Sequence, residues 1–230
     1  MVQRFLAALA SCLILCGCAT IDYATLPPGK LTGSLIVMWL GEGGSSGDGR
    51  FLFVPDPDAP LTFRRADARQ PGAVVSPGMM YTDGGSIPRV AQVFNGLSPW
   101  GYAPAYMIHD WLFVARHCLV DGDPDPRYRS LATVTFDQSA EILGEAIQGL
   151  VTSNRVKRND LAGGAITAAV DSAVARQLWD ARGACAENRV SPGDRAAANA
   201  AIPGSAPAAR RALRSTGGIA PARIVTRITF

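Results

Sequence analysis

At 230 residues and 48% hydrophobic content, the chain can bury one core of ordinary domain size. Its formal net charge is only +3 and its arginines are scattered. A nucleic-acid binder gathers its basic residues into a dense patch, so no nucleic-acid partner is expected.

Residues 1–18 have the pattern of a targeting segment. Arg4 supplies a positive start, and Phe5 to Leu15 form an apolar run of signal-peptide length, too short to span a bilayer. The run ends in Leu15-Cys16-Gly17-Cys18, which resembles a bacterial lipobox, with Cys16 an unusual occupant. That resemblance implies cleavage before Cys18 and acylation of Cys18, with several acyl chains anchoring the protein stably to a membrane. The alternative is an ordinary secretory signal with a chance Cys. No further stretch is long and apolar enough for a second span. The expected location is the bacterial cell envelope, facing the periplasm in a Gram-negative cell. Of five Cys, Cys118 and Cys185 remain once Cys12, Cys16 and Cys18 are accounted for. They are read either as one disulfide or as two separate buried thiols.

Residues 19–30, with Pro27 and Pro28, read as a tether. Leu31 to Leu40 is a strand rich in Leu, Ile, Val and Trp, followed by a Gly/Ser/Asp break over 41–49. Arg50 to Val54, Leu61 to Arg64 and Ala73 to Val75 add short strands, the last leading into the Pro77-Gly78 turn. The period then changes. Pro88 to Phe94 reads as a short helix, Ala103 to Cys118 as a longer one, and Thr135 to Val151 as an amphipathic helix. Asp160 to Trp179 is a further Ala-rich helix. This order predicts an α+β fold: a small antiparallel sheet followed by about three helices, in a globular domain over 31–188. Within a low-complexity tail over 189–230, Arg189 to Arg223 is mostly Ala, Arg, Pro, Gly and Ser and reads as disordered or weakly helical. The terminal stretch from Arg223 to Phe230 alternates and can either add an edge strand or fray.

The chemistry-bearing residues gather between Tyr81 and Asp110. One part is Thr82-Asp83-Gly84-Gly85-Ser86-Ile87-Pro88-Arg89, the other Ala105-Tyr106-Met107-Ile108-His109-Asp110-Trp111-Leu112. His109 is one of two His residues, and imidazole is the side chain best suited to proton transfer near neutral pH. Asp110 follows it, rotated about 100° on the helix, and reads as a cation ligand or loop cap rather than a simple partner. Asp137, on the next helix, is placed to hold the far ring nitrogen of His109, the carboxylate-orients-imidazole arrangement of many hydrolases. Gly84 and Gly85 let backbone N–H groups approach a ligand as an anion nest or oxyanion hole. Asp83 and Asp110, with backbone carbonyls, suit calcium.

The scaffold alternative uses the same residues. His109 would hydrogen-bond Asp83 or Ser86, Asp83 would form an Asx-turn, Ser86 would cap the helix after it, and Arg89 would pair with Asp110 or Asp137. Ser86 lacks the Gly-x-Ser-x-Gly elbow of a nucleophile. His117 is read at a helix C-terminus against the dipole, and Asp121 to Asp125 as a solvated turn without the closing Glu of a calcium loop. Trp100, Tyr102, Tyr106 and Trp111 either line an apolar cleft or pack in the core.

Taken together, Pro77-Gly78, Thr82 to Pro88, Ala105 to Leu112 and Asp137 in Phe136-Asp137-Gln138 resemble the bacterial and phage family called domain of unknown function 1353. The resemblance covers about residues 30 to 155 and implies a fold and a site rather than an activity. A Gly-rich loop, a His-Asp helix and a later Asp are also similar to secretory, calcium-dependent phospholipase A. That likeness implies His109 activating water, Asp110 and the Gly84-Gly85 backbone holding calcium, and Asp137 orienting His109, but the disulfides flanking that family's site are absent. Two expectations follow: a membrane-anchored lipoprotein with a His-Asp hydrolase site, or a non-enzymatic envelope lipoprotein, of prophage origin, with a structural His-Asp cluster.

Overall fold

In a computed structural model, residues 21–41, 49–82, 101–123, 125–157, 172–216 and 219–230 are described. The signal segment with Cys18 and the helix expected over Pro88 to Phe94 lie outside them. The fold is α+β, built on two antiparallel sheets. The expected first strand is two: β1 (Lys30–Thr32) and β2 (Ser34–Gly41). Gly33 separates them at φ +82°, where a Cβ would run into the Pro60 carbonyl. Next come β3 (Arg50–Pro55), β4 (Thr62–Arg64), β5 (Val74–Val75) and β6 (Met80–Thr82), and at the far end of the chain β7 (Arg223–Thr229). The smaller sheet has the order β1-β4-β5 and the larger β6-β3-β2-β7.

β2 sets the layering. Side chains alternate across a strand, so Leu35 and Val37 enter one core while Ile36 and Met38 enter another. All four are buried, and β3 repeats the pattern with Phe53 on the first side and Leu52 and Val54 on the second. A strand apolar on both faces must be covered on both. The first face is covered by α1 (Ala103–Val120) and α3 (Phe136–Thr152), joined by the short α2 (Pro126–Arg129). α3 begins with a capping box. The Gln138 amide donates to Thr135 Oγ1 at 3.2 Å, and the Gln138 side chain accepts from the Thr135 amide at 3.0 Å.

The second face is covered by the segment expected to be disordered or weakly helical, which is helical and packed. α6 (Pro192–Ala201) and α7 (Pro207–Arg214) lay Ala196, Ala197, Ala198 and Leu213 against Ile36, Met38, Leu52 and Val54. Small side chains let a helix backbone approach the sheet closely, so an alanine-rich stretch can cover apolar area without large residues. Buried Asp194 pins it. Its carboxylate accepts from Tyr81 Oη at 2.6 Å, Arg50 at 3.2 Å and Ser191 Oγ at 2.9 Å. β7 then pairs antiparallel with β2, Ser34 opposite Thr229 and Trp39 opposite Arg223, so the terminal residues form an edge strand. The globular unit therefore runs past 188 to the C-terminus.

The tether expected over 19–30 is likewise packed where it is described. Gln148 on α3 donates to the Tyr23 carbonyl at 3.0 Å, and the Gly29 amide donates to the Glu145 carbonyl at 2.9 Å. No helix among the described residues is long and apolar enough to cross a membrane.

Cys118 and Cys185 form a disulfide that closes a 67-residue separation and ties α1 to α5 (Cys185–Asn188), which follows α4 (Ala173–Trp179). On the chain-entropy account a loop of that length contributes roughly 4 kcal/mol. Replacing both cysteines with Ser is expected to cost about that in a denaturant titration; a change below about 1 kcal/mol would show that the bridge constrains little. Deleting residues 190–230 bares Ile36, Met38, Leu52 and Val54. The shortened chain is expected to lose its cooperative thermal transition in calorimetry, and a transition within a few degrees of the intact chain's would contradict the two-sided core.

Candidate active site on the His-Asp helix

α1 is buried along most of its length, and its polar side chains stand out against an apolar background. Tyr106, His109 and Asp110 lie three and four residues apart, so they share one face. His109 is 6% exposed and Tyr106 4% exposed. His109 Nδ1 lies 3.6 Å from Asp110 Oδ1, within ion-pair range though longer than a direct hydrogen bond. The two neighbours thus approach each other despite their divergence around the helix. His109 Nε2 and Tyr106 Oη are both buried with no hydrogen-bond partner among the described residues, as are Trp111 Nε1 and Arg116 Nε on the same helix. Buried polar atoms are nearly always paired, and of these four residues His109 and Tyr106 are the two whose side chains sit beside the carboxylate of Asp110. Burial, with Tyr102 and Asp110 beside it, holds the Tyr106 hydroxyl well above the ordinary phenol range, so it stays protonated.

Asp137 does not serve His109. It sits on the first turn of α3, 59% exposed at its side chain, and pairs with Arg176 of α4 at 2.5 Å. Arg176 in turn lies over the Phe136 ring at 4.3 Å. The first-turn position turns the carboxylate outward to a cation, which overturns the orienting role expected for it. Asp83, Gly84 and Gly85 lie outside the described residues. For the expected calcium site the described residues supply Asp110 alone, fewer oxygens than a hard cation requires. Among the described residues, the metal-spaced cluster of His, Cys, Asp or Glu is Cys118, Asp123 and Cys185. Its two sulfurs are bonded to each other and are not free to ligate.

His117 sits in the last turn of α1, as expected, and is also tied to α4 and α5. Its Nε2 is 2.6 Å from the Leu178 carbonyl and its Nδ1 2.7 Å from Asn188 Nδ2. An N–H on Nε2 and a lone pair on Nδ1 satisfy both contacts. Asp121, expected to be solvated, accepts from the Gly183 and Cys185 amides at 2.8 and 3.0 Å, and those two bonds hold its carboxyl below the usual range. Asp123 pairs with Arg189. Asp125 caps α2 and takes Arg127, whose side-chain and backbone bonds lower its pKa to about 2. The contacts of His117, Asp121 and Asp123 strap residues 178–189 to the C-terminal end of α1 and the turn after it. The strap reaches the site through rings: Trp179 packs edge-on against Phe113 at 5.0 Å, and Phe113 lies 5.0 Å from His109.

The other face of α1 explains the Pro77-Gly78 turn. Trp111 is buried with its ring 5.4 Å from Tyr128 and the Arg127 guanidinium 5.7 Å from its centroid. A Cβ on Gly78 would stand 2.8 Å from both Trp111 Cη2 and Arg127 Nη1. The turn after β5 is therefore seated on the helix that bears His109. Sequence reasoning missed the buried ion pair beneath α3: Arg65 donates to Glu145 at 2.6 and 3.0 Å and to Glu141 at 2.9 Å. Burial opposes the Arg65 charge, and the hydrogen bonds to Glu145 and Glu141 outweigh it. No local pattern connects residues 76 and 80 positions apart. Tyr106 was legible only as a possible wall residue. The signal that singles it out is its spacing from His109 and Asp110 on an apolar helix.

Gly78→Ala is expected to cost about 1–3 kcal/mol, because the Arg127 end can move but the Trp111 ring is packed. A denaturant titration within about 0.3 kcal/mol of wild type would show that the turn is not seated on Trp111 as described. No family model, curated protein or solved structure matches the chain, and the chemistry of the site rests on its own residues.

Proposed function

We propose that the chain is an envelope lipoprotein, anchored through Cys18, whose α1 face hydrolyses a membrane-borne substrate with His109 as general base. The observation that supports this most is the buried, unpartnered Nε2 of His109, backed at Nδ1 by the Asp110 carboxylate. A carboxylate on that side favours the tautomer with its proton on Nδ1. Nε2 is then left as a lone pair able to take a proton from water. Asp110 fills the place first assigned to Asp137.

Tyr23, which packs against the core formed by α1, α3 and one face of the sheet, follows the proposed anchor at Cys18 by five residues in the sequence. On this reading the motif likeness to domain of unknown function 1353 is a likeness of site residues, and the likeness to phospholipase A extends to His109 and Asp110 and stops at Asp137.

A second reading, the non-enzymatic lipoprotein, is favoured by one observation: His109 is only 6% exposed. The two part company on a single substitution. The full-length acylated protein, purified in detergent, would be mixed with micelles of dioleoylphosphatidylglycerol, in calcium and in chelator, beside His109→Gln. Product release that falls at least about 100-fold in His109→Gln, with Tm unchanged, is expected of a general base. Equal release by both proteins would sink the base assignment. A Tm several degrees lower in His109→Gln, without hydrolysis by wild type, would establish the scaffold.

A further inference from the structure

Tyr106 presents the second orphan of the site, and its chemistry complements the first. Its hydroxyl is buried, lacks a partner among the described residues and is held protonated. A protonated phenol is a hydrogen-bond donor, whereas the imidazole Nε2 of His109, three residues on along the helix, is an acceptor. Hydrolysis of an acyl group needs that combination: an acceptor for the proton of water and a donor for the oxygen on which charge develops. We infer that Tyr106 is a further catalytic residue, donating from Oη to the carbonyl oxygen of an uncharged carboxylic ester; this rests on the reading of His109 as the base.

The ester class follows from the charges present. Attack on a phosphoryl group places negative charge on several oxygens and calls for Arg, Lys or a cation. Among the described residues, the ionic side chain close to His109 and Tyr106 is Asp110, an anion. Arg116, two turns on, lies over Trp179 at 5.9 Å and 3.9 Å from Asp180. One neutral donor matches one carbonyl oxygen. The rings of Phe113, against His109, and Tyr102, against Tyr106, give the two groups apolar surroundings.

The step balances without a co-reactant other than water. Nε2 takes a proton as the water oxygen bonds to the carbonyl carbon, and the π pair moves onto the carbonyl oxygen, where Tyr106 Oη–H donates. The pair returns as the ester C–O bond breaks. The imidazolium then gives its proton to the leaving alkoxide, yielding a carboxylic acid and an alcohol.

The test is Tyr106→Phe, which removes one oxygen and keeps the ring, compared with wild type and His109→Gln in the full-length protein on dioleoylphosphatidylglycerol micelles. Fatty-acid release is expected to fall about 100-fold in kcat with KM little changed, the loss typical of removing one oxyanion donor. Tm is expected to stay level or rise, because an unpartnered buried hydroxyl stabilises nothing. A structural tyrosine would behave the opposite way, and a Tm several degrees lower in Tyr106→Phe overturns the inference whatever the rate. Full activity in Tyr106→Phe while His109→Gln is inactive overturns the role of Tyr106 and leaves His109 as base. Release of phosphorylated headgroup instead of fatty acid overturns the ester class. No hydrolysis by wild type removes the base reading, and the role of Tyr106 falls with it.

Discussion

Residues 35–38 of β2 are apolar in unbroken succession, and a strand of that kind cannot leave either face to water. Leu35 and Val37 need one cover, Ile36 and Met38 another. Helices α1 and α3 supply the first and the alanine-rich α6 and α7 the second. The antiparallel neighbours on either side, β3 and β7, come from opposite ends of the chain, so closing the sheet also brings the C-terminus back to the beginning. Much of the architecture, including the ordering of residues 190–230, answers this one constraint.

The same helix that covers the first face carries the candidate site, which explains why its polar groups are so deeply placed. Trp111, Leu112, Ala115 and Cys118 pack inward, and Tyr106 and His109 are drawn below the surface with them. An orphaned hydroxyl and an orphaned ring nitrogen each forgo hydrogen bonds to water. A helix held only by local propensity would not sustain that cost. α1 sustains it because the sheet, α3 and the strap all hold it. The strap is covalent at Cys118, hydrogen-bonded at His117 and Asp121, and aromatic at Phe113. Its last contact, Trp179 on Phe113 on His109, makes the second half of the chain part of the wall of the site.

The buried Arg65–Glu145 pair performs a similar service on the other side of α3. It holds the loop before β5 against the helix while Glu141, partly exposed, shares the guanidinium. One Glu145 oxygen has no partner among the described residues.

By itself the sequence determined what depends on local pattern. The α+β order, the spans of α1 and α3, the Thr135 start of α3 and the strand at Arg50 are legible because period, caps and β-branched runs are encoded within a few residues of one another. His109 and Asp110 are legible as chemistry-bearing residues of α1, whereas Tyr106 reads only as a wall residue until its burial is known. Tertiary structure decided what depends on distant partners. Whether Cys118 and Cys185 are one bridge or two thiols turns on residues 67 apart. Asp137 goes to Arg176 rather than His109 because α4 offers a cation at the open end of α3. The alanine-rich tail is ordered because Asp194 meets Tyr81 and Arg50, and because a bare sheet face was waiting for it. Composition reports how much apolar area a segment brings with it; only the fold reports how much it is asked to cover.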